Sequence, residues 1–359
     1  MALLDTLNIF DADVFVPVFQ VWIEGKPQPP KVLSSIMQIS VNQLTNAPSS
    51  FSMQINDHDF SMIDGNNALL TEGKHLEIYM GYDPAKTKKM IDGEISAISA
   101  DLDEGGGLTI QVQGFDALHR ASRGTKFREL EQGKDDSQIV YEIAKDLQLG
   151  ATVSPAVMRQ QPRHQIHTSN LECLTALAES NGFSFWVENK CLFFQTHREG
   201  PRAVVERGKN LLSFSIRAST AGQVQIMEVI GYDPSTKKLI SYSTSIDQAF
   251  EYQQKLPQDA RQQIKGQANT PSKRVIYAEG GINSVAEAQE RADAELIKQR
   301  RNLFTTHGSC IGNTEIKPGS PMTVIGMGSR FSHDYLVKTA QHDISQNGYT
   351  TSFELSQCL

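Results

Sequence analysis

Much of the chain alternates apolar and polar residues with a period of two. "FSMQIN" sets Phe51, Met53 and Ile55 on one face, "LEIYM" does so with Leu76, Ile78 and Met80, and "LTIQVQG" with Leu108, Ile110 and Val112. Successive side chains of a strand point to opposite faces, so these runs predict half-buried strands, antiparallel and joined by hairpins. The connectors "EGKPQPP", "TNAPSS", "IDGNN" and "DEGGG" carry the Gly, Pro, Asn and Asp that turns need. Phe15 to Gly114 therefore reads as a small, strongly curved β-sheet or barrel, within a first domain of residues 1–114.

The period then changes. "KDDSQIVYEIAKDLQLG" puts Ile139, Val140, Ile143, Ala144 and Leu147 on one helical stripe, with Asp135 or Asp136 to cap its start and Gly150 just past its end. "TSNLECLTALAESNGF" predicts a second helix, with Ser169 and Glu172 as a capping box and Gly182 in the left-handed position that stops it. "FSFWVENKCLFF" follows as a hairpin turning at Asn189-Lys190. Residues 115–200 are read as a small α+β domain.

Strands return from Leu211 in "SFSIRAS", "QVQIMEVIGYD" and "KLISYST". A polar, Gln- and Lys-rich run at about 245–275 has little periodicity and predicts a mobile loop. "NSVAEAQERADAELIKQRRNLF" predicts an amphipathic helix at about 284–303. Ser284 and Glu287 form its capping box, and Val285, Ala288, Ala292, Leu296 and Leu303 its inner stripe. The third domain is residues 201–359, a second β unit interrupted by that loop and helix.

Two stretches, "MGYDPAKTKKM" from Met80 and "IGYDPSTKKLI" from Ile230, share a Gly-Tyr-Asp-Pro turn. Asp-Pro starts many turns, so this echo is weak evidence of duplication. A longer comparison carries more. From Glu72 and again from Lys317 the chain shows a Gly turn (Gly73; Gly319) and an alternating strand (Leu76, Ile78, Met80; Met322, Val324). A long bent strand, a Gly turn and a last alternating strand (Leu108, Ile110, Val112; Phe353, Leu355) follow each time. The second Gly-Tyr-Asp-Pro run lies near the start of the later copy, in strands expected to match the Phe15–Ile55 part of the first. The fold class expected is mainly β (α+β): two similar small β-barrel domains with an inserted small α+β domain and an extra long helix.

The 359 residues suit two or three domains. A net charge of −7 argues against a general nucleic-acid binder, which would show a basic face. No apolar run approaches a membrane span. The first residues, with Asp5, Asp11 and Asp13, lack the basic start of a secretory signal, so cytoplasmic synthesis is expected. Cys173, Cys191, Cys310 and Cys358 lie far apart without a CxxC pair and read as reduced thiols.

Candidate chemistry is sparse. His164 and His167 in "RHQIH" face opposite sides if on a strand, and His119 and His197 are distant in sequence. Asp101, Asp103 and Glu104 sit together in one turn rather than across a cleft. GxSxG, HExxH and phosphate-binding glycine loops are missing. The sequence thus nominates no catalytic, cofactor-binding or metal residue, and no enzyme is expected. A carbohydrate- or receptor-binding β protein is the alternative, but Trp22 and Trp186 both sit in apolar strands rather than in a surface aromatic cluster.

One stretch is more specific. "VQGFDALHRASRGTKFRELEQGKDDSQIVYEIAKDLQLGATVSP" carries Gly114-Phe115-Asp116, Leu118, Arg123-Gly124, Asp136-Ser137-Gln138-Ile139-Val140 and Ile143-Ala144. With "SNLECLTALAESNGFSFWVENKCLFF" and "SPMTVIGMGSRFSHDYLVKTAQHDI", in that order, it resembles the late control protein D family. These are baseplate hubs of contractile phage tails, related to hubs of contractile injection systems and to the N-terminal part of VgrG spike proteins. The resemblance runs from Val18 to Leu355. It departs at Thr125-Lys126 and the "FRELEQGK" link, where some members are more apolar.

The resemblance implies a homotrimer in which two barrel domains per chain make a ring of six. Such a ring joins a hexameric tail tube, or tube-initiator protein, to a trimeric spike, with baseplate wedge proteins as further partners. The sequence stops soon after the second β unit, so the spike is expected to be a separate polypeptide. The terminal apolar residues Phe10, Phe15 and Leu359 are candidates either for partner contacts or for ordinary packing within the chain. After synthesis in the bacterial cytoplasm the chain would become part of the tail or injection particle.

Overall fold

The computed structural model describes residues 16–57, 60–65, 68–102, 108–129, 135–155, 164–198, 202–218, 226–233, 236–245, 273–277, 282, 284–301 and 304–357. The run at 246–272, Asp103, Glu104, Cys358 and the terminal Phe10, Phe15 and Leu359 lie outside them.

The protein is mainly β, with a large curled antiparallel sheet and few helices. The first strands are β1 (Val18–Ile23), β2 (Lys26–Pro27), β3 (Ile36–Leu44), β4 (Ser50–Asn56), β5 (His75–Gly81), β6 (Lys88–Leu102) and β7 (Leu108–Asp116), with a short helix α1 (Pro30–Leu33) before β3. They lie in the order β3-β4-β7-β6-β5-β1-β2. The alternating residues of the sequence pattern pack beneath them: Ile39, Val41, Phe51, Met53, Ile55, Leu76, Ile78, Met80, Ile110 and Val112 are all buried.

The chain then leaves the sheet through β8 (Lys126–Glu129), α2 (Asp136–Asp146), β9 (Gly150–Val153), β10 (His164–Thr168), α3 (Asn170–Asn181), β11 (Ser184–Glu188) and β12 (Cys191–Gln195). The helix stripe read from sequence packs on a three-stranded sheet, β11-β12-β9, around Phe185, Leu192 and Phe194. The side chain of Asp135 accepts from the Gln138 amide, Ser169 and Glu172 close the capping box, and Gly182 takes φ +67. Gly150 does not end α2, however. Gln148 takes the left-handed turn at φ +59, and Gly150 opens β9.

The large sheet resumes with β13 (Ala203–Glu206) and β14 (Leu211–Ala218) and finishes with β18 (Phe304–Ile311), β19 (Pro321–Ile325), β20 (Asp334–Ser345) and β21 (Gly348–Gln357). These strands lie in the order β14-β18-β21-β20, and β20 pairs with β19 and with β3. Their core holds Val205, Met322, Val324, Tyr335, Val337, Phe353 and Leu355.

Between β14 and β18 the structure corrects the sequence reading. β15 (Ile226–Asp233), β16 (Lys238–Ser245) and β17 (Lys273–Tyr277) do not join the large sheet. They form their own, in the order β16-β15-β17. The long helix α4 (Val285–Arg301) buries Ala288, Ala292 and Leu296 against Met227 and Val229 of that sheet. An amphipathic helix needs an apolar surface to cover, and this hairpin supplies it. Val285, at the helix start, is exposed rather than buried, and Leu303 lies outside the described residues. The two Gly-Tyr-Asp-Pro turns thus end unrelated strands, β5 in one sheet and β15 in the other.

Candidate functional site

The informative geometry is a repeat in the large sheet. At Gly73 the chain turns with φ +85, and at Gly319 with φ +83. Only residues that tolerate the left-handed region fit there without strain. The Gly73 amide donates to the Ile95 carbonyl and the Gly319 amide to the Val337 carbonyl, both at 2.8 Å. One residue on, the Ile95 amide donates to Lys74 and the Val337 amide to Ser320, both at 3.0 Å.

The bulges repeat too. Ser96 is the extra residue where β6 shifts register against β7, and Lys338 is the extra residue where β20 shifts against β21. Met37 of β3 and Leu212 of β14 are extra in the same way against β4 and β18. A bulge bends a strand and increases its twist, so matched bulges give matched curvature. The equivalence is β3 with β14, β4 with β18, β5 with β19, β6 with β20 and β7 with β21. It breaks at the margin, where β1 runs antiparallel to β5 but β13 runs parallel to β19.

The copies meet edge to edge. Past its bulge, β20 pairs with β3 from Thr339↔Leu44 to Ile344↔Ile39. A buried polar cluster lies under this junction. His342 sits with Nδ1 2.9 Å from the Tyr349 hydroxyl and 3.1 Å from Thr351 Oγ1, while its Nε2 lies 3.1 Å from the Ile316 carbonyl. Donation from Nε2 to the carbonyl leaves Nδ1 to accept from the hydroxyls. Burial lowers the His342 pKa to about 4, which keeps the ring neutral.

On the other face the second copy cups a shallow trough of about 540 Å³ running from Asn42 across β20, β21 and β18 to β14. Ser213, Ser215, Ser309, Thr339, Gln341 and Ser352 line it. The matching residues of the first copy are Gln38, Ser40, Gln54, Ala97, Ser99 and Gln111. These six positions are uncharged in both copies, and His307, Glu354, Phe214 and Phe353 also line the trough.

The inserted unit is tied to this sheet where Arg120 pairs with Glu94 of β6 and at a joint around Glu188. Glu188 of β11 takes Arg198 Nη1 at 3.1 Å and also Lys317 Nζ, from the loop before β19. Burial pushes the Glu188 carboxyl upward, but the two cations outweigh it and hold the pKa below its usual value. Burial also weighs against the Arg198 guanidinium, whose intrinsic basicity keeps it charged. Arg198 lies 4.8 Å over the Trp186 ring, which stacks on Phe193. Trp186 is therefore buried in this joint. Beside it, Asn46 accepts from the Phe185 amide and donates its own amide to the Phe185 carbonyl.

The remaining chemistry is structural in placement. His119 lies in a 3-10 turn, Ala117–Ser122, with Nδ1 2.8 Å from the Asp116 carbonyl and Nε2 facing Arg123. His167 is exposed in a bulged strand, and His197 pairs with its neighbour Thr196. The structure does not gather these histidines. Asp101 lies on the part of β6 beyond its pairing with β5, and Cys310 is buried, its thiol pushed up to about 12.

The sequence reading missed His75, Glu77 and Asp92, which come within metal-ligating distance of one another. Lys89 already occupies that cluster, 3.0 Å from Glu77 and 3.2 Å from Asp92, and the Tyr79 hydroxyl donates to Glu77. The sequence separation of those three residues gave no motif. The reading also missed Asp116, whose carboxylate accepts from the Ser49 and Leu118 amides. Burial raises its pKa to about 7 against those two bonds.

A family model described as the Alg8 N-terminal domain matches residues 14–346. The chain belongs to the Alg8 N-terminal domain family. No curated protein matches its sequence significantly. Among solved structures, this Alg8 N-terminal domain chain is similar to the 43 kDa tail protein of prophage MuSo2 from Shewanella oneidensis. The TM-score is 0.70 at 12% identity, over 95% of this chain and 98% of that one. The tail protein from Neisseria meningitidis MC58 gives TM-score 0.70 at 12% identity, over 96% and 97%. The E. coli c3393 protein is described as a type VI secretion component with structural similarity to the T4 tail proteins gp27 and gp5. It gives 0.60 at 10% identity, over 94% of this chain and 77% of that one. At such identities the likeness is one of fold, and the fold is that of tail and secretion-machine proteins. No helix among the described residues is long and apolar enough to cross a membrane.

Proposed function

We propose that the chain is the structural baseplate hub of a contractile tail or injection particle. Three chains form a ring of six related sheet units that joins a six-fold tube, or its initiator, to a three-fold spike. The observation that carries this reading is the repeat. One chain holds two copies of a bent sheet, alike down to their bulges and turn hydrogen bonds, and joined edge to edge. A trimer of such chains presents six-fold pseudo-symmetry on one side and three-fold symmetry on the other without a new fold.

On this reading each half is one small barrel-like domain, residues 1–114 and 201–359, and residues 115–200 are inserted between them. The face over the trough, with its row of serines, lines the lumen. The inserted unit and α4 brace the ring on the spike or wedge side. The role needs no catalytic residue, and His342, Glu188 and Asp92 are engaged in hydrogen bonds and ion pairs. The chain would be made in the cytoplasm of the producing bacterium and then built into the particle.

The test is assembly with the tube and spike proteins encoded with it. Mixing the three should give a complex in which negative-stain images show a ring between tube and spike. A hub chain that binds neither protein would overturn the proposal.

A further inference from the structure

Among the described residues, the repeat leaves two strand edges without the partner that their counterparts have. β3 is covered by β20, but its equivalent β14 is the last strand of the sheet. β20 past its bulge is paired on both sides, by β21 and by β3. Its equivalent, β6 past Ser96, is paired among the described residues by β7 alone. Burial records the difference. Ile344 at the junction is 5% exposed, whereas Leu102, its equivalent on β6, is 72% exposed. Ile39 and Val41 are fully buried, whereas their equivalents Phe214 and Ile216 are half-buried.

We infer that these two edges pair with each other between copies, the free half of β6 on one chain adding to β14 of the next. The inference rests on the trimeric reading above and gives it an interface. The register follows from the junction already present in each chain. Gln341 faces Asn42 there, and Ile344 faces Ile39. Carrying β20 onto β6 and β3 onto β14 sets Ser99 opposite Arg217, Ala100 opposite Ile216, Asp101 opposite Ser215 and Leu102 opposite Phe214.

The chemistry of that register is consistent. Leu102 joins Phe214 and Ile216 on the core face, as Ile344 joins Ile39 and Val41. On the polar face Asp101 lies diagonal to Arg217, within reach of a long side chain. An open strand edge carries a row of unpaired amides and carbonyls and templates pairing with another chain. The two edges differ, so the contact is head-to-tail and closes into a ring or runs on as a filament.

Cysteine pairs test the register in the full chain. Ser99→Cys with Arg217→Cys should yield, on mild oxidation, covalent trimers in a denaturing non-reducing gel. Asn42→Cys with Gln341→Cys, the same geometry inside one chain, should close without raising the mass. Ser99→Cys with Ser213→Cys, four residues out of register, should not link, nor should the unsubstituted chain. As an independent measure, Leu102→Asp should raise the dissociation constant of the oligomer at least tenfold while the monomer keeps its circular dichroism. A native trimer whose matched cysteines do not link overturns the edge pairing and leaves the trimer standing. A covalent ladder beyond three chains supports the pairing and overturns the closed trimer. A monomer at every concentration, with no link, overturns both.

Discussion

The Gly319 amide donates to the Val337 carbonyl at 2.8 Å, just before a bulge, and the Gly73 amide meets Ile95 at the same distance before the equivalent bulge. Each glycine sits in the left-handed region and turns the chain from the loop into its strand. The pair of turns fixes where each long strand bends. In the proposed ring, duplicated curvature lets two halves of one chain act as successive segments.

Alanine at Gly73 meets open space and alanine at Gly319 makes ordinary contact, 3.5 Å from Arg198 Cβ, but each forces an L-residue into positive φ. Each change should destabilise the fold by roughly 1 kcal/mol. Urea unfolding checks this by a lower midpoint at unchanged slope. A cost within error at both positions would mean that these turns do not hold the bulges.

His342 should make stability pH-dependent. Its folded pKa of about 4 lies below the ordinary value for histidine, so the unfolded chain binds the extra proton first. Stability is therefore full above about pH 6.5 and is lost as pH falls toward 4, by up to about 3 kcal/mol. Asp116 acts in the opposite sense. Burial raises its pKa to about 7, so its contribution declines as pH rises toward 7. The difference between the native chain and His342→Gln isolates the histidine. The variant should be less stable at pH 7.5 and should lose less between pH 6.5 and 4. Parallel pH profiles would contradict the assignment.

Glu188→Gln should leave Arg198 and Lys317 facing a neutral amide in a largely buried joint. Removing one partner of a buried ion pair costs about 3 kcal/mol because the charge left behind is uncompensated. The loss should be local. Hydrogen exchange should rise first in β11, β12 and the turn before β19, and Trp186 emission should shift to the red as Arg198 leaves its ring. Unchanged exchange there would show that the inserted unit is held by other contacts.

The β pattern was legible wherever alternation was clean, as in Phe51 to Ile55 and Leu76 to Met80, because one face of each strand is buried. The Ser169–Glu172 capping box, the Ser284 cap that accepts from the Glu287 amide, and Gly182 were legible because they act locally. The repeat of β5-β6-β7 in β19-β20-β21 was visible through its glycine turns and alternation. What stayed hidden depended on long-range pairing. Nothing in "QVQIMEVIGYD" says that its neighbour is α4 rather than the large sheet, since an alternating strand fits either. The His342 cluster joins residues from Ile316 to Thr351, and the Glu188 joint residues from β11 to the loop before β19, so neither leaves a short motif. The open edges at Leu102 and Phe214 become visible only beside their covered counterparts.

The most direct test of the central claim is the mass of the purified chain, by light scattering coupled to size exclusion across a dilution series. The account predicts a stable species near three times 39.8 kDa. A chain that stays at one times that mass at every concentration, and still does so when tube and spike proteins are added, would contradict it.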